Sequence, residues 1–360
     1  MPFVDILRGR WEGGREVWSA VRGGAAEIAR WEHDSFGLET EWSMEEGRTK
    51  HVLECEVRPQ PHLRREKLAA DGEGQYLFDT HARTLGSGAG LAEGGATNVG
   101  LKGTGGGRNP RATYSSSRSL LGQIERVDRM APVVLRRLRS MQQAMRGTLF
   151  LDINPRLMRD YSPISPFQEM GAQGEFISST VWMLCQEEEK KLELIDWLSE
   201  LCAPTIRDID FIETDLGDVM LSLVEGDGTR VSARSLSDGT LRFLGELTAL
   251  LTAPRGSVVL IEEIENGLHP ARVHLLVQLL DALKKKRQIQ VIATTHSPKV
   301  LEAVALVSPE TLREAVVFGR PKDAEGTIAR KLGELRAFEE VLERRGIDQL
   351  FTTKWLERAL

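Results

Sequence analysis

The sequence predicts an α/β fold in which a mostly parallel sheet carries helices on its faces. Two mostly apolar runs, residues 258–261 and 291–295, are typical of strands that are buried on both faces of such a sheet. The leucine spacing of residues 270–287, with a proline at the start, indicates a helix between them. Because the crossover of such a unit is right-handed, both strands end at one sheet edge, where open α/β sheets bind ligands.

A second, antiparallel sheet is predicted for the N-terminal third of the chain. It follows residues 2–30, whose apolar residues recur at helical spacing and predict a helix. Short segments with partly alternating polarity then occur at residues 37–44, 51–57 and 75–80. Because polar turns separate these segments, they favour antiparallel strands.

Residues 85–110 are dominated by glycine and are predicted to form a flexible loop. The alternative is a loop that cradles phosphate, which requires the pattern G-x-x-x-x-G-K-[S/T] before a helix. Here Lys102 precedes Gly103, and no Gly-Lys dipeptide occurs in the 360 residues. The phosphate-loop alternative is therefore disfavoured.

The remaining elements follow from the same periodicities. Helices are predicted within residues 115–147, over 176–201 and 241–251, near 335–345 and within 350–360. Strands are predicted at residues 149–153 and 315–317 and in a hairpin-like pair at 206–213 and 219–224.

The overall charge excludes some functions for the chain as a whole. Its net charge is −6 with a pI of about 5.8, which argues against a protein built to coat nucleic acid or an anionic membrane. Basic runs at residues 62–67, 136–146 and 284–287 are expected to form solvated helix faces.

Cysteine usage and hydropathy indicate a cytoplasmic, soluble protein with no membrane partner. The three cysteines, Cys55, Cys185 and Cys202, form no CxxC pair, and their odd number argues against a disulfide framework. No apolar run reaches the ~18–20 residues that span a bilayer, and the N-terminus lacks the order of a signal peptide.

Polar side chains follow both predicted parallel strands. Glu262 and Glu263 end the first, and His296 ends the second, so the topology brings them to one edge. Two carboxylates suit a nucleotide triphosphate: one can hold a water bound to Mg²⁺, and the other can orient and deprotonate the attacking water. The simpler alternative, a solvated strand end with a capping histidine, is disfavoured by the spacing of these residues.

A serine-rich turn, residues 235–240, precedes the helix predicted at 241–251. The hydroxyl of Ser237 and the free backbone N–H groups of a helix N-terminus can bind an anion. The alternative is an ordinary N-cap without a ligand.

Together these residues resemble the ABC-type ATPases, the group that includes SMC, RecF-like and OLD-like heads, and more closely the bacterial AAA-type ATPases of the AAA_21 group. The matching segments are LSDGT at 236–240 (signature), VVLIEE at 258–263 (Walker B), NGLHP at 266–270 (D-loop region) and THS at 295–297 (switch histidine). The match is specific from about residue 232 to 303, with looser similarity at 152–163.

The resemblance implies a role for each site residue, with ATP and Mg²⁺ as ligands. Glu263 would be the general base and His296 the switch. Glu262 would hold Mg²⁺ through water, although this group usually has aspartate there. Ser237 and Gly239 would contact the γ-phosphate of a nucleotide held by a second subunit. Gln123 and Gln168 are both candidates for the glutamine-bearing loop, and the sequence does not decide between them.

The implied fold is a P-loop NTPase-like ABC ATPase head, a mostly parallel sheet with flanking helices, an antiparallel β subdomain and a helical insertion. The corresponding segments are an N-terminal remnant of the ATPase lobe at 1–114, a helical insertion at 115–201, an ATPase core at 202–318 and a C-terminal helical segment at 319–360.

The Walker A loop of this group is missing from the chain. Residues 1–7 resemble the helix that follows that loop, so we expect the chain to begin just past it and to hydrolyse ATP weakly alone. Two hypotheses follow: an N-terminally truncated ATPase, or a non-catalytic subunit that donates Ser237 and Gly239 to a complete ATPase. The presence of Glu263 and His296 favours the first.

The expected partner is a second copy of the chain or a homologous ATPase subunit in a head-to-head dimer. The resemblance further implies a role in DNA maintenance or phage defence, with DNA or an effector nuclease as possible partners. The acidic charge gives the DNA-binding hypothesis no support.

Overall fold

The structure is a computed structural model that describes residues 33–57, 62–70, 76–80, 96–101, 111–115, 119–123, 131–165, 169–202, 205–321 and 326–360. It divides into two compact units, residues 1–148 (unit 1) and 149–360 (unit 2). The division falls inside the segment 115–201 that was predicted as one helical insertion. The helix predicted at 2–30 lies outside the described residues.

Unit 1 contains a six-stranded antiparallel sheet whose strands follow one another in chain order. The strands are β1 Ser35–Met44, β2 Gly47–Glu56, β3 His62–Ala70, β4 Tyr76–Thr80, β5 Ala96–Leu101 and β6 Arg111–Ser115. Helix α1, Pro132–Arg146, shares a buried apolar cluster with Leu68 and Phe78 of the sheet. The prediction of an antiparallel sheet in this part of the chain is confirmed.

Two predictions in unit 1 are wrong. The basic run at 62–67 belongs to strand β3 and not to a helix, because its charges find partners on neighbouring strands: Arg65 Nη2 lies 2.8 Å from Asp79 Oδ2 on β4. The glycine-rich stretch 85–110 contains strand β5, whose backbone pairs with β4 and β6. A ladder needs only backbone groups, so glycine does not prevent it. The rest of that stretch lies outside the described residues.

Unit 2 is built around a three-stranded parallel sheet. Its strands are β7 Leu149–Leu151, β12 Val258–Ile261 and β13 Gln290–Ala293. Their order in the sheet is β13–β12–β7. An antiparallel sheet comprises β8 Ser162–Pro163, β9 Ile206–Glu213, β10 Asp218–Glu225 and β11 Arg230–Ser232. A two-stranded ribbon pairs β14 Val316–Gly319 with β15 Ile328–Lys331. The predicted α/β core with parallel strands is confirmed.

One detail of the parallel sheet differs from the prediction. Strand β13 was expected to be buried on both faces, but the side chain of Ile292 is 49% exposed. Within the described residues β13 pairs only with β12, so it is an edge strand with one open side. Apolar composition alone cannot distinguish an edge strand from a central one.

Eight helices are described in unit 2. They are α2 Ile177–Leu184, α3 Glu188–Leu201, α4 Asp238–Thr252, α5 Val273–Arg287, α6 Pro298–Val307, α7 Pro309–Glu314, α8 Phe338–Thr352 and α9 Trp355–Arg358. The helix predicted at 176–201 is two helices, because the chain turns at residues 185–187. None of the described helices is both long and apolar enough to cross a bilayer.

Helix α4 lies at the centre of the main core of unit 2. Ten of its residues are buried, and seven of these pack in one apolar cluster with Val259 and Ile261 of β12 and with Leu276 and Leu279 of α5. Burial of this much apolar surface fixes α4 against the strand–helix–strand unit. The N-terminus of α4, which carries the serine-rich turn, is thereby placed near the loop that follows β12.

Candidate functional site

The parallel register of β12 and β13 brings the predicted site residues to one edge of the sheet. Ile261 is the register partner of Ala293, so Glu262 and the residues up to His296 leave the sheet side by side. Glu262, Glu263 and His296 are all exposed. The structure therefore places the three side chains where the sequence predicted them, at the carboxyl ends of neighbouring strands.

Thr294 ties the two strand ends together through three hydrogen bonds. Its backbone N–H donates to the carbonyl of Ile261 at 3.0 Å, and its carbonyl accepts the N–H of Ile264 at 3.2 Å. Its hydroxyl oxygen accepts the backbone N–H of Glu263 at 3.0 Å. The sequence analysis missed the role of this residue, because it counted Thr294 as part of the predicted strand 291–295.

Glu263 has an unusual backbone conformation. Its φ is +47°, in the left-handed region that residues with a side chain rarely adopt and that costs of order 1–3 kcal/mol. Thr294 holds its N–H, and its carbonyl accepts the N–H of Asn266 at 2.7 Å. The Nδ2 of Asn266 also lies 3.4 Å from Glu263 Oε2. Strain of this kind, fixed by surrounding hydrogen bonds, is concentrated at functional sites.

A second connection joins the two loops. Oε1 of Glu265 accepts the backbone N–H of His296 at 3.1 Å. The loops that carry the two glutamates and the histidine are thus connected on both sides, by Thr294 and by Glu265.

The serine-rich turn caps helix α4. Ser237 Oγ accepts the backbone N–H of Thr240 at 3.1 Å and lies 2.8 Å from the Thr240 hydroxyl. This is the N-cap geometry that the sequence analysis kept as an alternative. Ser237 is exposed, and a contact with phosphate stays a prediction.

Gly239 lies against Gly267 in the loop that follows β12. A Cβ atom at position 239 would overlap the Gly267 carbonyl, and Gly267 itself has a φ of +85°. Both positions therefore require glycine for close approach of the two backbones. The structure provides this packing reason for Gly239, in addition to the predicted phosphate contact.

Arg159 binds the turn before α4 through hydrogen bonds from its guanidinium group. Its Nη2 donates to the carbonyl of Leu236 at 2.8 Å and to Asp238 Oδ1 at 2.7 Å, and its Nε donates to the carbonyl of Arg234 at 3.3 Å. The role of Asp238, which the sequence left open, is thus an ion pair with Arg159. Arg159 was missed as a site residue, although it lies in the segment 152–163 that showed looser similarity.

The sequence was compared with models of known protein families. Residues 111–302 match the AAA_21 family model, described as AAA domain, putative AbiEii toxin, Type IV TA system. The match covers more than half of the chain. The chain belongs to the AAA_21 family. The resemblance deduced from the signature, Walker B and switch segments is confirmed, and no curated protein matches the chain.

The structure does not decide between the two glutamine candidates of the AAA_21 chain. Gln123 belongs to unit 1, where its Nε2 donates to the carbonyl of Ser119 at 3.3 Å. Gln168 lies outside the described residues. The choice between them stays open.

The donors at the sheet edge fit Mg²⁺ rather than a metal held by the protein alone. The described residues contain no group of three or more histidine, cysteine or acidic side chains that could hold a metal. Magnesium in nucleotide sites uses one or two carboxylates and completes its shell with waters and phosphate oxygens. The exposed carboxylate of Glu262 at the end of β12 fits that pattern.

A buried carboxyl group lies beneath the site. Glu246 on α4 is only 5% exposed, and burial raises its pKa to about 8. Nearby Arg242 lowers this pKa, and the charge of Glu265 raises it. Glu246 therefore carries a proton at neutral pH.

Proposed function

We propose that this chain is the ATPase head of an AAA_21 protein that binds and hydrolyses ATP. The observation that carries the proposal is the sheet edge at which Glu262, Glu263 and His296 leave neighbouring parallel strands. Membership of the AAA_21 family supports a nucleotide as the ligand.

The proposed roles follow from the chemistry of each side chain. Glu263, held by Thr294 and Asn266, is the general base that orients and deprotonates the attacking water. Glu262 would hold Mg²⁺ through water, and the ion would supply positive charge against the phosphate oxygens. His296 contacts the γ-phosphate and reports whether it is present.

Ser237 and Gly239 are proposed to act on a nucleotide held by a second subunit. The exposure of Ser237 and the helix N-terminus behind it support a contact with an anion. A reciprocal contact of this kind produces a head-to-head dimer with twofold symmetry, in which ATP joins the subunits and hydrolysis releases them. The family description names a putative toxin, which favours phage defence over DNA maintenance as the setting.

The test is ATP turnover by the chain alone and by a P-loop-complete version, in which the P-loop segment of an AAA_21 protein is joined to its N-terminus. The 360 residues contain no Gly-Lys dipeptide, so we expect turnover by the P-loop-complete version to rise well above that of the chain alone. Failure of the P-loop-complete version to bind ATP or to gain rate would contradict the proposal.

The second candidate function is a non-catalytic subunit that only donates its signature face. Two variants distinguish the candidates. In the P-loop-complete version, Glu263→Gln removes the base and is expected to lower turnover by about 10²–10⁴-fold if this chain is catalytic. If the chain only donates its signature, mixing the 360-residue chain with an AAA_21 subunit that carries a P-loop raises that subunit's turnover. In this mixture Ser237→Ala abolishes the gain, whereas Glu263→Gln does not. Glu357→Gln, an exposed change on α9, serves as the matched control.

A further inference from the structure

Glu265 joins two loops of the candidate site and has no role in the proposed chemistry. Its half-buried side chain bonds through Oε1 to the backbone N–H of His296 at 3.1 Å. The bond acts on the main chain of the histidine, so it fixes the position of the loop without occupying the imidazole ring. A contact of this type can hold His296 ready for a ligand.

The other oxygen of Glu265 is in an unusual state. Oε2 is buried and has no hydrogen-bond partner among the described residues. A buried carboxylate oxygen without a donor is costly, and such groups in native proteins call for an explanation. Its neighbour Glu246 is a carboxyl group on α4, the helix that begins at the serine-rich turn.

We propose that Glu265 is a positioning residue that holds the backbone of His296. The catalytic consequence rests on the proposed function. The contact itself is a property of the nucleotide-free chain.

Amide hydrogen exchange of the nucleotide-free chain tests the contact directly. Peptide fragmentation resolves the backbone amide of His296. Glu265→Ala is expected to speed exchange of that amide roughly tenfold or more, because the side-chain acceptor at position 265 is lost. Glu265→Gln keeps an acceptor oxygen and is expected to retain most of the protection, and Glu357→Gln is expected to match the wild type. Unchanged exchange in Glu265→Ala, or equal loss in both Glu265 variants, would overturn the proposal.

Kinetics of the P-loop-complete version separate this inference from the proposed function. Glu265→Ala is expected to lower kcat on the order of 10- to 100-fold with little change in KM, and Glu265→Gln to recover most of it. If the P-loop-complete version hydrolyses no ATP while the exchange results hold, the proposed function fails and the contact stands. If ATP is hydrolysed but Glu265→Ala exchanges like the wild type, the positioning role alone fails.

Discussion

Two buried carboxyl groups, one in each unit, are surrounded in opposite ways. In unit 1 the side chain of Glu66 is 1% exposed, and its oxygens accept the Ser119 hydroxyl at 2.8 Å and the backbone N–H groups of Leu120 and Leu121. His51 Nε2 lies 2.9 Å from the same carboxylate. Protein hydrogen-bond donors thus take the place of water at both carboxylate oxygens of Glu66.

In unit 2, Glu246 is nearly as buried, but its neighbourhood provides a second carboxylate, Glu265, with one oxygen left without a partner among the described residues. A satisfied buried network stabilises one structure, whereas a partly satisfied one stores strain or serves a function. The comparison therefore predicts that Glu66 matters for stability and that Glu246 and Glu265 matter for the site.

The largest expected effect is on the stability of unit 1. Glu66→Ala leaves Ser119, Leu120 and His51 without their acceptor, so we expect the free energy of unfolding to fall by about 3–5 kcal/mol. Chemical denaturation followed by circular dichroism measures this, with hydrogen exchange in β2 and β3 to assign the loss to unit 1. Glu41→Ala removes an exposed ion pair with Arg48 and is expected to cost less than about 1 kcal/mol. Equal losses of unfolding free energy in Glu66→Ala and Glu41→Ala would contradict the structural role assigned to Glu66.

The next largest effect concerns the close approach of Gly239 and Gly267. Gly239→Ala places a methyl group against the Gly267 carbonyl, so we expect a loss of about 1–3 kcal/mol in stability and loss of ATP turnover in the mixture. Thermal unfolding and turnover are measured together. Gly226→Ala is the control, because Gly226 also lacks a positive φ and an added Cβ would meet only the Thr205 carbonyl at 3.8 Å. A Gly239→Ala chain that is fully stable and active would show that the two loops need not touch.

A smaller effect is expected at Arg159. Arg159→Ala removes the donors to Leu236 and Asp238. The free energy that protects the amides of residues 234–238 from exchange is therefore expected to fall by about 1–3 kcal/mol. Arg159→Lys keeps the charge but not the forked donors, and is expected to recover only part of it. Exposed Arg156→Ala is the control, and equal exchange in the two alanine variants would exclude Arg159 as the holder of the turn.

The smallest effect is expected at Thr294. Thr294→Val removes the hydroxyl that accepts the N–H of Glu263, at a cost of about 0.5–1.5 kcal/mol. Thr294→Ser keeps the hydroxyl and is expected to behave like the wild type in exchange of the Glu263 amide. If valine and serine protect that amide equally, the left-handed conformation of Glu263 does not depend on Thr294.

The sequence predicted those parts of the site that depend on topology. A strand–helix–strand unit fixes which strand ends lie side by side. Periodicity alone was therefore enough to predict that Glu262, Glu263 and His296 lie at one edge of the sheet. The helix cap at Ser237 was also a local signal. Each of these inferences used residues in one short segment or one known crossover.

The residues that were missed act between distant segments. Arg159 is 79 positions from Asp238, and Glu265 is 31 positions from His296. Which side chains meet across such separations depends on packing, and no periodic pattern records it. Strand β3 was missed for the same reason, because Arg65 and Glu66 find their partners on other segments of unit 1.

The assembly state of Glu263→Gln tests the central claim most directly. The claim is that Glu263 is the general base for hydrolysis of ATP held between two subunits. In the P-loop-complete version, light scattering is expected to show that Glu263→Gln forms a dimer at saturating ATP and stays dimeric, whereas the version with Glu263 returns to monomer as ATP is consumed. A Glu263→Gln chain that stays monomeric at saturating ATP, or that dissociates as fast as the wild type, would contradict the account.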